Sequence, residues 1–226
     1  MRRKIISMPL AIFDLDNTLI DRDSSFRRWT AEMVARHDLD PSEVQWLVTA
    51  DGDGFAPRPA FISAVRDRYG LDDSLDTLLD QYRQRIVALV EPDPRVPAAL
   101  DRLRADGWRV AIATNGATAQ QWAKIRSTGL DAYVDAVAVS EEVGAAKPDP
   151  RIFEVAAQRC GAHLADGGWM VGDCPTRDII GAQGVGLRTI WLHRNREWEV
   201  PGATPDAIVD DVVQAVTVMI AQRPTS

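Results

Sequence analysis

Two aspartates, Asp14 and Asp16, stand two residues apart at the end of a short apolar run, Leu10 to Phe13. Further along come Thr114-Asn115-Gly116, then Lys147-Pro148-Asp149, then Gly172-Asp173 with Asp178 shortly after. Moving a phosphoryl group takes three things: a nucleophile in line with the leaving oxygen, cations on the equatorial oxygens, and an acid for the departing alkoxide. Asp14 suits the nucleophile, because a carboxylate forms an acyl phosphate that water then hydrolyses. Asp16 points to the same side under the two-residue period of extended chain. It suits the acid that protonates the leaving group and later activates water. Carboxylates crowded around a phosphate repel it, so the site needs a counter-charge. Magnesium supplies one, bound through one or two carboxylates, waters and the phosphate itself. The candidate side-chain ligands are Asp14 and Asp173, with the Asp16 carbonyl an added donor and Asp178 supporting them. Thr114 offers a hydroxyl to a phosphate oxygen and Lys147 a permanent positive charge.

These residues need elements that bring them together. Leu10 to Phe13 reads as a buried central strand. From Ser24 to about Glu91 the pattern is helical. Ser24 and Ser25 are candidate caps for a helix through Phe26, Trp29, Met33 and Val34. Further helices run from Pro41-Ser42-Glu43 to near Asp51, from Pro59 to Tyr69, and from Asp76 to Val90. Asp51-Gly52-Asp53-Gly54 reads as a turn; it resembles the start of a calcium loop, but Ile62 stands where that loop needs a glutamate. After Glu91-Pro92-Asp93-Pro94 the pattern alternates. Strands are expected at Trp108 to Ala113, Ala136 to Val139, Trp169 to Val171, Thr189 to Leu192 and Ala207 to Val209. Helices are expected at Val96 to Ala105, Thr118 to Ser127, Pro150 to Cys160, Arg177 to Gln183 and Asp211 to Ala221. Such alternation implies an α/β fold, a doubly wound parallel sheet with helices on both faces. The expected division is a catalytic core of residues 1–21 and 94–226 and an all-α domain of residues 22–93. In open sheets of this kind ligands bind beyond the C-terminal strand ends, where the candidate residues fall.

Composition narrows the partners. Of 226 residues, 46% are hydrophobic and 26% charged, enough apolar material for a sizeable core. The net charge of −7 gives no electrostatic reason to expect nucleic-acid binding. No stretch approaches about 18 uninterrupted apolar residues, so no membrane span is expected. Cys160 and Cys174 make neither a CxxC motif nor a disulfide framework, which suits a reducing cytoplasm. The basic start, Met1 to Lys4, leads to the first strand without a signal-peptide cleavage site and is expected to lack structure. The expected partner is a small phosphorylated metabolite, and the expected assembly a monomer or homodimer.

Taken in order, Asp14-Leu15-Asp16-Asn17-Thr18, Thr114-Asn115, Lys147-Pro148 and Gly172-Asp173 with Asp178 resemble the four motifs of the haloacid dehalogenase superfamily, phosphatase branch. The resemblance covers nearly the whole chain. It implies a Rossmann-like core, a helical cap inserted after the first motif, Mg2+ as cofactor, and phosphate binding by Thr114, Asn115 and Lys147. The stretch from Thr114 to Asp149 is similar to pyrimidine 5'-nucleotidases and acylneuraminate-9-phosphatases, and also to phosphoglycolate phosphatases. Cys174 stands where the family usually has serine, asparagine or threonine.

The second acid separates reactions within the family. Dehalogenases keep the nucleophile but lack an aspartate two residues on, since a departing halide needs no proton. Phosphomutases keep both acids, and a non-catalytic binding module of the same fold is the alternative from another class. A signalling receiver shares the sheet and acceptor aspartate but has no place for the helical insert. Substrate reading falls to the insert, where Arg22, Arg27, Arg28, Arg58, Arg66 and Arg68 are candidates. Arg58, between prolines and expected in a loop, is the foremost. Trp29, Trp46 and Trp122 are candidates to stack on a substrate ring. His37, His163 and His193 share no motif, and Cys174, with no histidine partner, reads as a small packing residue.

Overall fold

The computed structural model describes residues 8–223, so the basic start lies outside the described residues. The chain divides into two compact units, one of residues up to Ile20 together with Pro92 onward, the other Asp21–Glu91. Strand β1 is Leu10–Phe13, followed by helices α1 (Arg22–Arg36), α2 (Glu43–Asp51), α3 (Arg58–Tyr69) and α4 (Leu75–Leu89). Then come α5 (Arg95–Ala105), β2 (Arg109–Thr114), α6 (Thr118–Ser127), β3 (Ala136–Val139), α7 (Ser140–Val143) and α8 (Pro150–Arg159). Strand β4 (Trp169–Gly172) leads into a π-helical turn, Pro175–Ile180, and a short α9 (Gly181–Gln183). The chain closes with β5 (Arg188–Leu192), β6 (Ala207–Val209) and α10 (Val212–Ala221).

All six strands pair in parallel, in the order β3-β2-β1-β4-β5-β6. The winding therefore reverses between β1 and β4, where open α/β sheets bind their ligands. Alternate residues of β1 face opposite sides of the sheet. Leu10 and Ile12 join Ala111, Ala113, Ala136, Ala138 and Met170 in a core against Ile152, Phe153, Ala156 and Ala157 of α8. Alanines on β2 and β3 let α8 lie close, and full burial of Phe153 contributes about 1.5–3 kcal/mol. On other elements of this unit, α5 and α10 pack on one another, and on β2 and β4 respectively. Among the described residues no helix is long and apolar enough to cross a membrane.

The helical unit has its own core, in which Phe26, Trp29, Phe61 and Tyr82 form an aromatic cluster. Trp29 meets Tyr82 edge-on with centroids 5.0 Å apart. Two local expectations, on the cap of α1 and on Arg58, differ from what is observed here. Asp21, not Ser24 or Ser25, caps α1, accepting the Ser24 N–H at 2.9 Å. Asp51 ends α2, where that helix is expected to end, and is buried, with both Arg22 terminal nitrogens 2.5 Å from its oxygens. Arg58 is the first residue of α3, not a loop residue. Its guanidinium donates to Asp51 Oδ1 (2.5 Å), the Tyr82 hydroxyl (3.1 Å) and the Ala56 carbonyl (2.8 Å). Arg22, Arg58 and Asp51 thus form a buried ion cluster that ties α1, α2 and α3 together. Of the proposed ring-stacking residues, Trp29 is core, Trp46 packs on Tyr69 and Arg68, and Trp122 lies beside Arg126.

Candidate active site

Asp14 follows β1 directly, and its N–H donates to the Val171 carbonyl at 2.9 Å, which joins the ends of β1 and β4. Beyond it the chain makes a tight loop. Leu15 O accepts the N–H groups of Thr18, Leu19 and Ile20, and Asn17 adopts φ 61°. Asparagine tolerates that left-handed conformation better than most side chains.

At the end of β4, Asp173 and Asp178 meet Asp14, with one oxygen from each carboxylate within 4.8 Å of the others. All three are buried. Lys147 Nζ sits among them, 2.5 Å from Asp14 Oδ1 and 2.8 Å from Asp178 Oδ1. Lys147 thus meets two of the carboxylates, and the third, Asp173, meets Arg194 and Arg196. Burial pushes the Asp14 carboxyl up to about 8; Lys147 opposes the rise, and Asp178 and Asp173 add to it. Burial likewise raises Asp173 to about 6, helped by Asp178 and opposed by Arg194 and Arg196. Clustered, desolvated carboxylate oxygens are what a hard divalent ion binds. The donor set fits magnesium. Asp178 lies beside Asp14 and Asp173, its Oδ2 accepting the Cys174 N–H at 2.9 Å. Gly172 makes room for it: a Cβ there would lie 2.3 Å from Asp178 Oδ2. The helix expected over Arg177 to Gln183 is instead a π-helical turn from Pro175, whose wider winding carries Asp178, followed by α9. Cys174 is buried and caps this turn, its sulfur accepting the Arg177 N–H at 3.4 Å.

The remaining residues lie at the ends of β2 and β3. Thr114 Oγ1 accepts from Gln121 Nε2 at 2.6 Å, which leaves its O–H to donate. Asn115 directs its side chain to the Lys147 main chain, donating to the carbonyl (3.0 Å) and accepting the N–H (2.8 Å). These two bonds tie the end of β2 to the Lys147 loop. The Asp16 carboxylate lies outside the three-carboxylate group and accepts from Lys124 Nζ at 2.7 and 2.8 Å and from Gln121 Nε2 at 3.0 Å. Arg58 belongs to the other unit and its internal ion cluster.

Four side chains at the site were not anticipated. Gln121 and Lys124 reach Asp16 from α6. Arg194 and Arg196 reach Asp173 Oδ2 from the loop after β5, at 2.8 and 3.1 Å. The signal for the first pair was their spacing of three residues, with Ile125 beside them, on one helix face. The arginines lie just past a predicted strand end, which is where such sheets place ligands.

A family model for haloacid dehalogenase-like hydrolases matches residues 8–186. The chain belongs to this family. Among curated relatives of this hydrolase, a Thermus thermophilus phosphoserine phosphatase is 38% identical over 53% of the chain and 47% of its own length. The Escherichia coli pyrimidine 5'-nucleotidase YjjG is 33% identical over 57% of the chain and 56% of its own length. The chain thus spans about half the length of these two. A Mesorhizobium japonicum phosphoglycolate phosphatase is 30% identical over 96% of the chain and 97% of its own length. Among solved structures, a Bacillus subtilis hydrolase, YfnB, superposes with a TM-score of 0.77 at 20% identity, over 94% of this chain and 99% of that one. That likeness concerns the fold, an α/β core with a parallel sheet.

Proposed function

We propose that this hydrolase cleaves a phosphomonoester of a small metabolite by way of an aspartyl phosphate on Asp14. The observation that carries this reading is Asp14 buried against Lys147 among three carboxylates, with a second acid, Asp16, two residues on. Lys147 and the Thr114 hydroxyl would hold the phosphoryl oxygens, and Asn115 would hold Lys147 in place. Asp16 would protonate the alkoxide and then take a proton from the attacking water. Asp14, Asp173 and the Asp16 carbonyl would hold Mg2+, with Asp178 beside them. The ion, when bound, neutralises the phosphate charge and aligns the phosphate with the nucleophile. Asp16 also favours phosphate chemistry over carbon–halogen cleavage, because a halide leaves without a proton.

The names of the relatives suggest phosphoserine, nucleotide or phosphoglycolate substrates, and we place the choice among them in the helical unit. The test is phosphate release from nucleotides, sugar phosphates, phosphoserine, phosphoglycolate and an aryl phosphate, with magnesium or with chelator. Metal-dependent release is expected from wild type. Asp14→Asn should fall to less than about a thousandth of it, because an amide cannot take up the phosphoryl group. Comparable release from Asp14→Asn would exclude Asp14 as nucleophile, and activity unaffected by chelation would exclude the metal.

A further inference from the structure

Lys124 is a lysine in the wrong place for a solvated helix residue. It lies in the last turns of α6, yet it is only 4% exposed, and its ammonium sits against both oxygens of Asp16 at 2.7 and 2.8 Å. Burying an ammonium is unfavourable unless a counter-charge is built opposite it. The pairing is reinforced from the same helix face. Gln121, equally buried, donates from one nitrogen to Asp16 Oδ2 at 3.0 Å and to Thr114 Oγ1 at 2.6 Å. A continuous chain therefore runs Lys124–Asp16–Gln121–Thr114 and joins the second acid to a hydroxyl of the phosphate site. Asp16 itself keeps about a quarter of its side chain exposed (26%).

We propose that Lys124 is a positioning residue that fixes the Asp16 carboxylate for hydrolysis of the phospho-aspartate. The proposal rests on the reading of Asp14 and Asp16 given above and extends it. In that step a water oxygen bonds to phosphorus while the bond from phosphorus to the Asp14 oxygen breaks. Asp16 takes the proton that water loses, and phosphate and the Asp14 carboxylate are released. An acceptor for that proton must face the water line, and misplacement of a reacting group by about 1 Å costs on the order of 10²-fold. A carboxylate held at both oxygens by one ammonium has its rotation stopped.

An aryl phosphate isolates the step. Its phenolate leaves without help, so Asp16 is needed only for the second half-reaction. In Lys124→Met, kcat for the aryl ester should fall on the order of 10²-fold. By contrast, kcat/KM, which reports events up to phenolate release, should stay at the wild-type value, so KM falls with kcat. Rapid mixing should show a burst of phenolate approaching one per folded active site. Lys124→Gln, which keeps one donor, should show a smaller effect of the same pattern and serves if the methionine variant does not fold. Asp16→Asn is the reference and should also give a burst. A burst in Asp16→Asn with none in the Lys124 variants overturns the role of Lys124 alone. Equal losses in kcat and kcat/KM in the Lys124 variants also overturn it, pointing to a direct phosphate contact. No burst in any variant, Asp16→Asn included, overturns the reading of Asp16 and the proposal with it.

Discussion

Asp14 illustrates how one residue's surroundings prepare it. In water it would titrate near 3.8; here burial moves it to about 8, against the pull of Lys147. A carboxyl whose pKa is raised on folding binds its proton more tightly in the folded protein than in the unfolded chain. Its contribution to metal-free stability is complete below the ordinary value and is lost as pH rises through the folded one. For Asp14 that window runs from about 4 to about 8, and for Asp173, raised to about 6, it closes earlier. Metal-free protein should therefore melt at progressively lower temperature from pH 5 to pH 8. The decline should be shallower in Asp14→Asn. Calorimetry in chelator checks this, and an unchanged slope in the variant would contradict it. At this scale the sequence displayed the charged motif residues well, because acids after an apolar run are conspicuous. It hid Lys124, because a helical lysine is ordinarily solvated and no local pattern tells that its partner lies more than a hundred residues earlier. Arg58 misled in the opposite sense. Flanked by prolines it read as a loop cation, whereas it begins α3, with Pro59 in the first turn, and Asp51 draws the guanidinium inward.

Among the elements, β1, β3, β6 and α6 run where the apolar runs and periodicity placed them. The sheet was legible because strands buried on both faces are continuously apolar. Short elements were not: α7 and the turns at Leu130–Ala132 and Leu164–Asp166 contain too few residues to show a period. The π-helical turn after β4 was also invisible, since its one extra residue per turn serves Asp178 and leaves no mark in hydrophobicity. The tightest constraint there is Gly172, whose need for glycine comes from crowding and not from its backbone angles. Gly172→Ala should push the Asp178 carboxylate away from the Cys174 N–H and from Lys147. We expect a loss of roughly 10- to 100-fold in magnesium affinity with the fold intact. Titration calorimetry with circular dichroism tests it; wild-type affinity would show that Asp178 does not support the metal.

At the scale of the molecule, the helical pattern from Ser24 and the Pro-rich stretch near Glu91 suggest an all-α insert. A helical period of 3.6 is a strong signal when it persists over many residues. Each unit closes its own core: aliphatic and alanine-rich between sheet and α8 in one, aromatic among α1, α3 and α4 in the other. The catalytic proposal concerns only the first unit, whose four motif stretches come from distant parts of the chain to the strand ends of one sheet. Substrate preference was the least legible property, since it depends on side chains outside those motifs. The claim on which the rest depends is covalent: the phosphoryl group passes through Asp14. It is tested most directly by quenching wild type and Asp16→Asn during turnover and reducing the acyl phosphate with borohydride. Peptide mass spectrometry then finds the modified residue. The account predicts conversion to homoserine at position 14, more abundant in Asp16→Asn. Phosphate release with reduction at another carboxylate, or with none at all in either protein, would contradict it.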